Sequence, residues 1–329
     1  MNFCTLFDSY YMLKGLSLYQ SLVKVSDDFH LYVMAFDREC YEKLKSFYFK
    51  HMTVELLDDF ETPELLKVKP TRTKAEYCWT CGPSVIWHFL KKYELPNITY
   101  LDSDLFFMSS PSAIQDEIGE ASVAITEQGI SEESAKQYGR YCVQYMFFKN
   151  DEEGSNTLAW WRDKCIEWCY QRFEEGRYGD QKYLDEFPSL SPSLCVINNP
   201  GAGVAPWNMH RYKLKGNSIV QNGKEYPFVF YHMHGITADI NGSTLTMQSI
   251  HHNFSKEQVE KFLMPYALLN MDVLNRFYGK ELKSCDAHGV EGWKSIEYKI
   301  RGLLRNNRLI QWLYFKIIRK EYQGHGLKL

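Results

Sequence analysis

Two aspartates, Asp102 and Asp104, stand two residues apart at the end of the stretch Ile98-Thr99-Tyr100-Leu101-Asp102-Ser103-Asp104-Leu105-Phe106-Phe107. Side chains at i and i+2 share one face of a strand, and on the sharp turn after a strand they converge, with the small Ser103 between them leaving room. Two hard oxygen donors at that spacing suit a divalent cation, Mn2+ or Mg2+. The same pair also reads as two solvated carboxylates capping a following helix. The apolar strand before it and Leu105-Phe106-Phe107 after it favour the metal.

The elements that must position this pair can be read from periodicity. Phe3 to Phe7 forms a buried strand ended by Asp8-Ser9, and Leu13, Leu16, Leu18, Leu22 and Val25 then keep an approximate helical period. His30 to Phe36 is expected as a strand, Cys40 to His51 as a helix, Val54 to Leu57 as a short strand and Tyr77 to Tyr93 as a long aromatic-rich helix. Asn97 to Leu101 is then the strand that delivers the carboxylates. Such βαβα alternation predicts an α/β fold with a doubly wound sheet whose ligand lies at the carboxyl ends of the strands, beside Asp8 and the Asp pair. Ala121 to Thr126, Cys142 to Lys149, Cys195 to Asn198 and Phe228 to His232 read as further strands, and Leu158 to Glu175 as an amphipathic helix. The core ends near residue 245, and 246–329 is expected as a helical C-terminal extension that opens with the capping box Ser255-x-x-Gln258.

The chain has 329 residues and a formal net charge of −3, with an isoelectric point near 6.4. Its size fits one large α/β domain with an extension, and its charge gives no global reason to invoke nucleic acid. The N-terminus lacks a basic segment followed by a long apolar run, and no eighteen consecutive apolar residues occur, so a cytoplasmic or membrane-peripheral protein is expected. Nine cysteines, an odd number without a repeated framework, read as reduced thiols. Cys78-x-x-Cys81 has no second pair at a zinc-finger distance.

Several separated motifs carry a resemblance across residues 3 to 240. Thr5-Leu6-Phe7-Asp8-Ser9-Tyr10-Tyr11, Lys74-Ala75-Glu76-Tyr77, Tyr100-Leu101-Asp102-Ser103-Asp104, Gly179-Asp180-Gln181 and His232-Met233-His234-Gly235 occur in the order found in bacterial GT-A glycosyltransferases. The chain most resembles the retaining, lipopolysaccharide-type enzymes of glycosyltransferase family eight. The resemblance implies a GT-A, Rossmann-like mixed sheet and a nucleoside-diphosphate-sugar donor, most often UDP-linked. It assigns Asp8, Tyr11, Lys74, Asp102, Ser103 and Gly235 to the donor, and Asp102, Asp104 and His232 to the metal. Two carboxylates with one imidazole suit manganese better than an all-oxygen cage does. His234 shares a face with His232 and is the rival ligand. Asp180 would meet sugar hydroxyls and Gln181 the anomeric carbon. Trp207, in the glycine-rich loop Pro200 to Asn208, reads as a sugar platform or a packed indole. Many relatives carry Asn-x-Gly near residue 144, whereas this chain has Cys142-Val143-Gln144-Tyr145, so Gln144 takes that acceptor-contact position with its role in doubt.

The implied reaction moves a sugar to a glycan or lipid-linked acceptor in bacterial surface polysaccharide synthesis, retention favoured over inversion. A sugar-nucleotide pyrophosphorylase would open with a glycine-rich loop bearing Arg and Lys after the first strand, and Phe7-Asp8-Ser9-Tyr10-Tyr11 is not that. A non-enzymatic glycan-binding or scaffold protein on the same fold is the other alternative. Finally, Ser295 to Glu321 sets Ile296, Ile300, Leu303, Leu304, Ile310, Leu313, Ile317 and Ile318 opposite Arg301, Arg305, Arg308, Lys316 and Arg319 when wound as a helix. That pattern fits either an anionic membrane surface or a helix packed on the core.

Overall fold

The computed structural model describes residues 1–249, 252 and 254–288; the amphipathic segment 295–321 lies outside them. The chain divides into two compact units, Met1–His232 and from Met233 onward. Leu245, where the sequence placed the end of the core, lies within a strand of the second unit.

In the first unit the strands run β1 (Asn2–Phe7), β2 (His30–Ala35), β3 (Met52–Leu56), β4 (Asn97–Leu101), β5 (Leu105–Phe107), β6 (Val123–Glu127), β7 (Tyr141–Lys149), β8 (Cys195–Ile197), β9 (Ala202–Val204), β10 (Lys213–Lys215), β11 (Ser218–Gln221), β12 (Lys224–Pro227) and β13 (Phe230–His232). Seven of them form a mixed sheet in the order β3-β2-β1-β4-β7-β6-β8. The neighbours β3, β2, β1 and β4 are parallel, β7 runs antiparallel to both β4 and β6, and β8 is parallel to β6. The doubly wound expectation therefore holds. Strand order reverses between β1 and β4, so the chain leaves these two strands on opposite sides of one crevice, and that crevice receives Asp8 from β1 and Asp102 from β4.

Both faces of this sheet are covered, which explains why its strands read as continuous apolar runs. The helix Lys74–Lys92 opens with a capping box between Thr73 and Glu76 and presents Tyr77, Cys81, Val85 and Phe89 at four-residue spacing to the core. Val85 and Phe89 are fully buried, each contributing about 1.5–3 kcal/mol of transfer free energy. Two helix expectations shift. Asp37 caps a helix Arg38–Lys45 by accepting from Cys40 N, so the segment after it is turn and β3 rather than helix. The helix expected over residues 158–175 is Glu152–Glu167, capped by Asp151 and stopped where Trp168 becomes extended. The residues beyond it fold as a loop clamped by guanidinium stacking, with Arg72 3.8 Å and Arg172 4.3 Å from the Tyr170 ring centroid.

A small second sheet, β5-β13-β9, flanks the crevice. The last three strands of the unit before β13, β10 to β12, form an antiparallel meander. In the second unit a hairpin Ile236–Asn241/Thr244–Ser249 pairs with Ser284–His288, and the capping box at Ser255 and Gln258 opens the helical stretch as expected, continuing to Tyr278. The three strands of this unit carry no signal that the sequence reading used. No helix among the described residues is long and apolar enough to cross a membrane.

Strand β13 is held by backbone bonds that include Val229 N and Phe230 N donating to Gly201 O, at 3.0 and 3.1 Å. A Cβ on Gly201 would collide with the Pro227 carbonyl oxygen. That atom belongs to the backbone and cannot swing aside. Gly201→Ala is therefore expected to cost about 1–3 kcal/mol of stability and to displace β13, measured by urea unfolding; a loss below about 0.5 kcal/mol would show that the strand absorbs the methyl.

Candidate active site

The turn after β4 is tight. Asp102 N donates to Gln144 O at 3.0 Å, which extends the pairing of β4 with β7 by one residue, and Leu105 N donates to Asp102 O at 3.2 Å. The chain then enters β5, whose first residue Leu105 lies opposite His232 in the antiparallel ladder with β13. Cross-strand neighbours sit about 5 Å apart, so this register delivers His232 beside Asp104. Its Nε2 is 3.0 Å from Asp104 Oδ1 and 3.8 Å from Asp102 Oδ2. Asp104 and His232 are nearly buried, and Asp102 is the more open of the three.

Four further side chains hold this triad. Tyr100 OH donates to Asp102 Oδ1 at 3.1 Å, as i and i+2 on one strand face allow. Lys14 Nζ lies 3.5 Å from Asp104 Oδ2 and 4.6 Å from the Tyr11 ring centroid. Gln144 is fully buried, with Oε1 2.9 Å from His232 Nδ1. Trp207 packs edge-on against His232 at 5.3 Å between centroids and donates from Nε1 to Gln128 O at 2.8 Å. Lys14 and Tyr100 escaped the sequence reading. Tyr100 was accessible from its spacing to Asp102, whereas nothing in sequence distinguishes Lys14 from other helical lysines.

On the opposite wall, Asp8 caps the turn before the first helix by accepting from Tyr11 N at 2.9 Å and pairs with Lys74 Nζ at 2.5 Å. Lys74 also reaches Asp37, at 3.6 Å, and thereby ties the ends of β1 and β2 together. Tyr11 is 39% exposed, enough to offer a ring face. Gly179 adopts φ +53° and donates its N–H to Tyr170 O at 3.0 Å, a turn that aims Asp180. The Asp180 carbonyl accepts from Trp161 Nε1 at 2.9 Å, and Gln181 Nε2 donates to Tyr138 O at 2.9 Å. Burial raises the Cys78 thiol of the helix Lys74–Lys92, and Cys81 and the charges of Asp8, Asp180 and Asp102 add to it. Ser103 is buried. Gly235 takes φ +69° in the turn closed by Ile236 N to Met233 O, within the second unit, where His234 also lies. Positive φ at the third residue of such a turn favours glycine.

The electrostatics fit a cation. Burial pushes the Asp102 carboxyl up to about 6, with Asp104 adding and His232 opposing. Burial and the Asp102 charge push Asp180 up to about 7. Burial disfavours the charged form of His232, yet the Asp104 charge and hydrogen bond prevail and raise it well above its ordinary value. Two carboxylates at an imidazole nitrogen, 3.0 and 3.8 Å from it, form a donor set suited to Mn2+ or Mg2+. Asp102, Asp104 and His232 would hold it.

Asp180 gives a pH-dependent expectation. With its folded value near 7 and its ordinary value 3.8, the folded chain keeps a proton that the unfolded chain releases, so this group's contribution is full below about pH 4 and lost as pH rises through 7. Asp180→Asn mimics the protonated form. In chelator at pH 8 it should gain about 1–2 kcal/mol, below the roughly 4 kcal/mol the full displacement corresponds to, and the gain should vanish at pH 4. Urea unfolding at both pH values checks this; an equal gain at both would exclude the titration.

No family model matches the chain. Two solved structures of the galactosyltransferase LgtC are similar in fold. The one in complex with donor and acceptor sugar analogues has a TM-score of 0.54 at 10% identity, covering 83% of this chain and 96% of that one. An active-site mutant of LgtC has a TM-score of 0.53 at 12% identity, covering 82% and 95%. Two proteins of Bacillus subtilis (strain 168) are similar in sequence: the uncharacterized protein YfnD, 34% identical over 242 residues, 72% of this chain and 78% of that protein, and the uncharacterized protein YfnF, 32% identical over 246 residues, 71% and 80%. With the sheet order and the crevice described above, these comparisons show that the chain has the GT-A glycosyltransferase fold and belongs to the family that includes YfnD and YfnF.

Proposed function

We propose that the protein is a metal-dependent glycosyltransferase that moves a sugar from a nucleoside-diphosphate-sugar, UDP-linked by preference, to a hydroxyl of a glycan or lipid-linked acceptor. The observation that carries this reading is the convergence of Asp102, Asp104 and His232 at the carboxyl edge of a GT-A sheet. The similarity to LgtC, whose structure holds donor and acceptor sugar analogues, supports it. In this reading Asp8 and the Tyr11 ring hold the nucleoside, and Lys74, already poised between two carboxylates, meets the donor's phosphate or sugar. Ser103 keeps the space between the paired carboxylates open for the donor.

A bound Mn2+ or Mg2+ would supply Lewis-acid stabilisation of the charge that builds on the departing diphosphate. Asp180 binds the hydroxyls of the transferring sugar, and Gln181, oriented by its bond to the Tyr138 carbonyl, faces the anomeric carbon. The half-buried Trp207 forms a wall of the acceptor side. We favour retention of configuration, with the leaving phosphate accepting the acceptor's proton. A role in bacterial surface polysaccharide synthesis at the cytoplasmic face of an anionic membrane fits a lipid-linked acceptor and the basic amphipathic segment 295–321.

Asp102→Ala and Asp104→Ala should each lower manganese-dependent release of nucleoside diphosphate from the donor by at least about 100-fold, with the fold retained by circular dichroism. Unchanged turnover at saturating Mn2+ in either variant would remove that residue from the site, and donor binding without any turnover in the wild type would favour the glycan-binding alternative. His232→Ala should weaken Mn2+ binding more than His234→Ala does; a manganese titration showing the reverse order would exchange their roles.

A further inference from the structure

We propose that Gln144 is a positioning residue for the metal site, fixing the tautomer of His232 so that its Nε2 lone pair is offered to the cation, and is not an acceptor contact. The inference rests on the metal-dependent reading above and goes beyond it in assigning a task to a residue of β7.

A ring that offers Nε2 to a cation needs an acceptor oxygen at Nδ1, and the amide of Gln144 is placed to supply it. Nε2 lies 3.1 Å from Thr126 Oγ1, a hydroxyl on the neighbouring strand β6 that can accept from it, and Oε1 lies 2.9 Å from His232 Nδ1. Reversing the amide would point an NH2 at His232 Nδ1, which must then be bare, forcing the proton of a neutral ring onto Nε2. A neutral imidazole has one donor and one acceptor nitrogen, and the partner of the first decides the task of the second. An oxygen at Nδ1 therefore keeps the proton of a neutral ring on Nδ1, so that a cation can take Nε2 in place of the proton Nε2 shares with Asp104 Oδ1, 3.0 Å away. Cys142, two residues back on the same face of β7, also interacts with His232, but a thiol is a weak acceptor and does not fix a proton as an amide oxygen does.

The surroundings are built for this amide. Gln144 has no exposed surface, so a soluble acceptor cannot reach it without displacing the strands around it. Gly203 of β9, at φ +134°, leaves the space: a Cβ there would lie 3.0 Å from Gln144 Nε2 and 3.8 Å from Thr126 Cβ. Three strands, β6, β7 and β9, thus enclose the side chain that orients a ligand on a fourth, β13.

The full-length protein tests this directly. Manganese binding followed by electron paramagnetic resonance should weaken about 10- to 100-fold in Gln144→Leu, the range typical when a partner of a metal-bound histidine is removed. Gln144→Glu, which keeps an oxygen at Nδ1, should stay within a few-fold of wild type. Thr126→Val releases the amide nitrogen and should cost several-fold, a second route should Gln144→Leu fold poorly. In 15N-histidine spectra of the protein loaded with diamagnetic Cd2+, His232 should show a protonated Nδ1 and a metal-bound Nε2 in wild type and Gln144→Glu, and lose that signature in Gln144→Leu. Unchanged manganese affinity and an unchanged ring signature in Gln144→Leu overturn the inference alone, and do so decisively if acceptor KM rises instead. Failure of the wild type to bind Mn2+ overturns the metal-dependent reading and this inference with it.

Discussion

A ladder of three residue pairs, Leu105 to Phe107 against Phe230 to His232, is the constraint on which the site depends. The carboxylates come from the turn between β4 and β5, within one short stretch of chain, but the imidazole comes from a strand nearly 130 residues further on. Sheet pairing fixes its position to within a residue, and a one-residue slip would turn His232 away from Asp104 and bring Tyr231 or Met233 into register. The same ladder is braced on its other side by β9 and by the bonds to Gly201 O. Backbone hydrogen bonds rather than side-chain preferences therefore set the geometry of the Asp102, Asp104 and His232 cluster.

The arrangement of the whole first unit follows the same economy. Carboxylates lie at the ends of parallel strands, where the fold opens a crevice, and each has a partner: Asp8 has Lys74, Asp37 has Ser9 and the Cys40 amide, and Asp102 has Tyr100. Burial first, and the neighbouring carboxylate charge second, raise Asp102 and Asp180 above their ordinary range, an unfavourable arrangement that a structural core would avoid and a cation would relieve.

Much of this was legible in the sequence, because the strands that carry the site are apolar on both faces and end in punctuating polar residues. Asp8-Ser9 after β1 and Asp102-Ser103-Asp104 after β4 announce where the crevice lies. The N-terminal four strands and the long helix Lys74–Lys92 were recognised for the same reason. What could not be read was pairing. Nothing in Leu105-Phe106-Phe107 says that it leaves the main sheet, or that its partner is Phe230 to His232. Gln144, read as an acceptor contact from its position in the chain, is fully buried with its two amide ends on Thr126 and His232, a fact that depends on which residues of β6 and β13 stand opposite it. The helix expected to reach residue 175 stops at Glu167, and the loop after it is held by the Tyr170 ring stacked with the distant Arg72 and the local Arg172.

The late arrival of β13 has a consequence for biosynthesis. Synthesis runs from the N-terminus, and non-local strand pairs form only after both partners exist. When β4 and its two aspartates have left the ribosome, β13 has still to be translated, whereas Lys14 has already been made. Of two ion partners of Asp104, Lys14 and His232, the ammonium on the opening helix is made early and the imidazole only when almost the entire first unit is out. A nascent chain truncated between residues 105 and 231 carries both aspartates and lacks the imidazole, so the Asp102–Asp104–His232 cluster is completed in the last step of that unit's assembly.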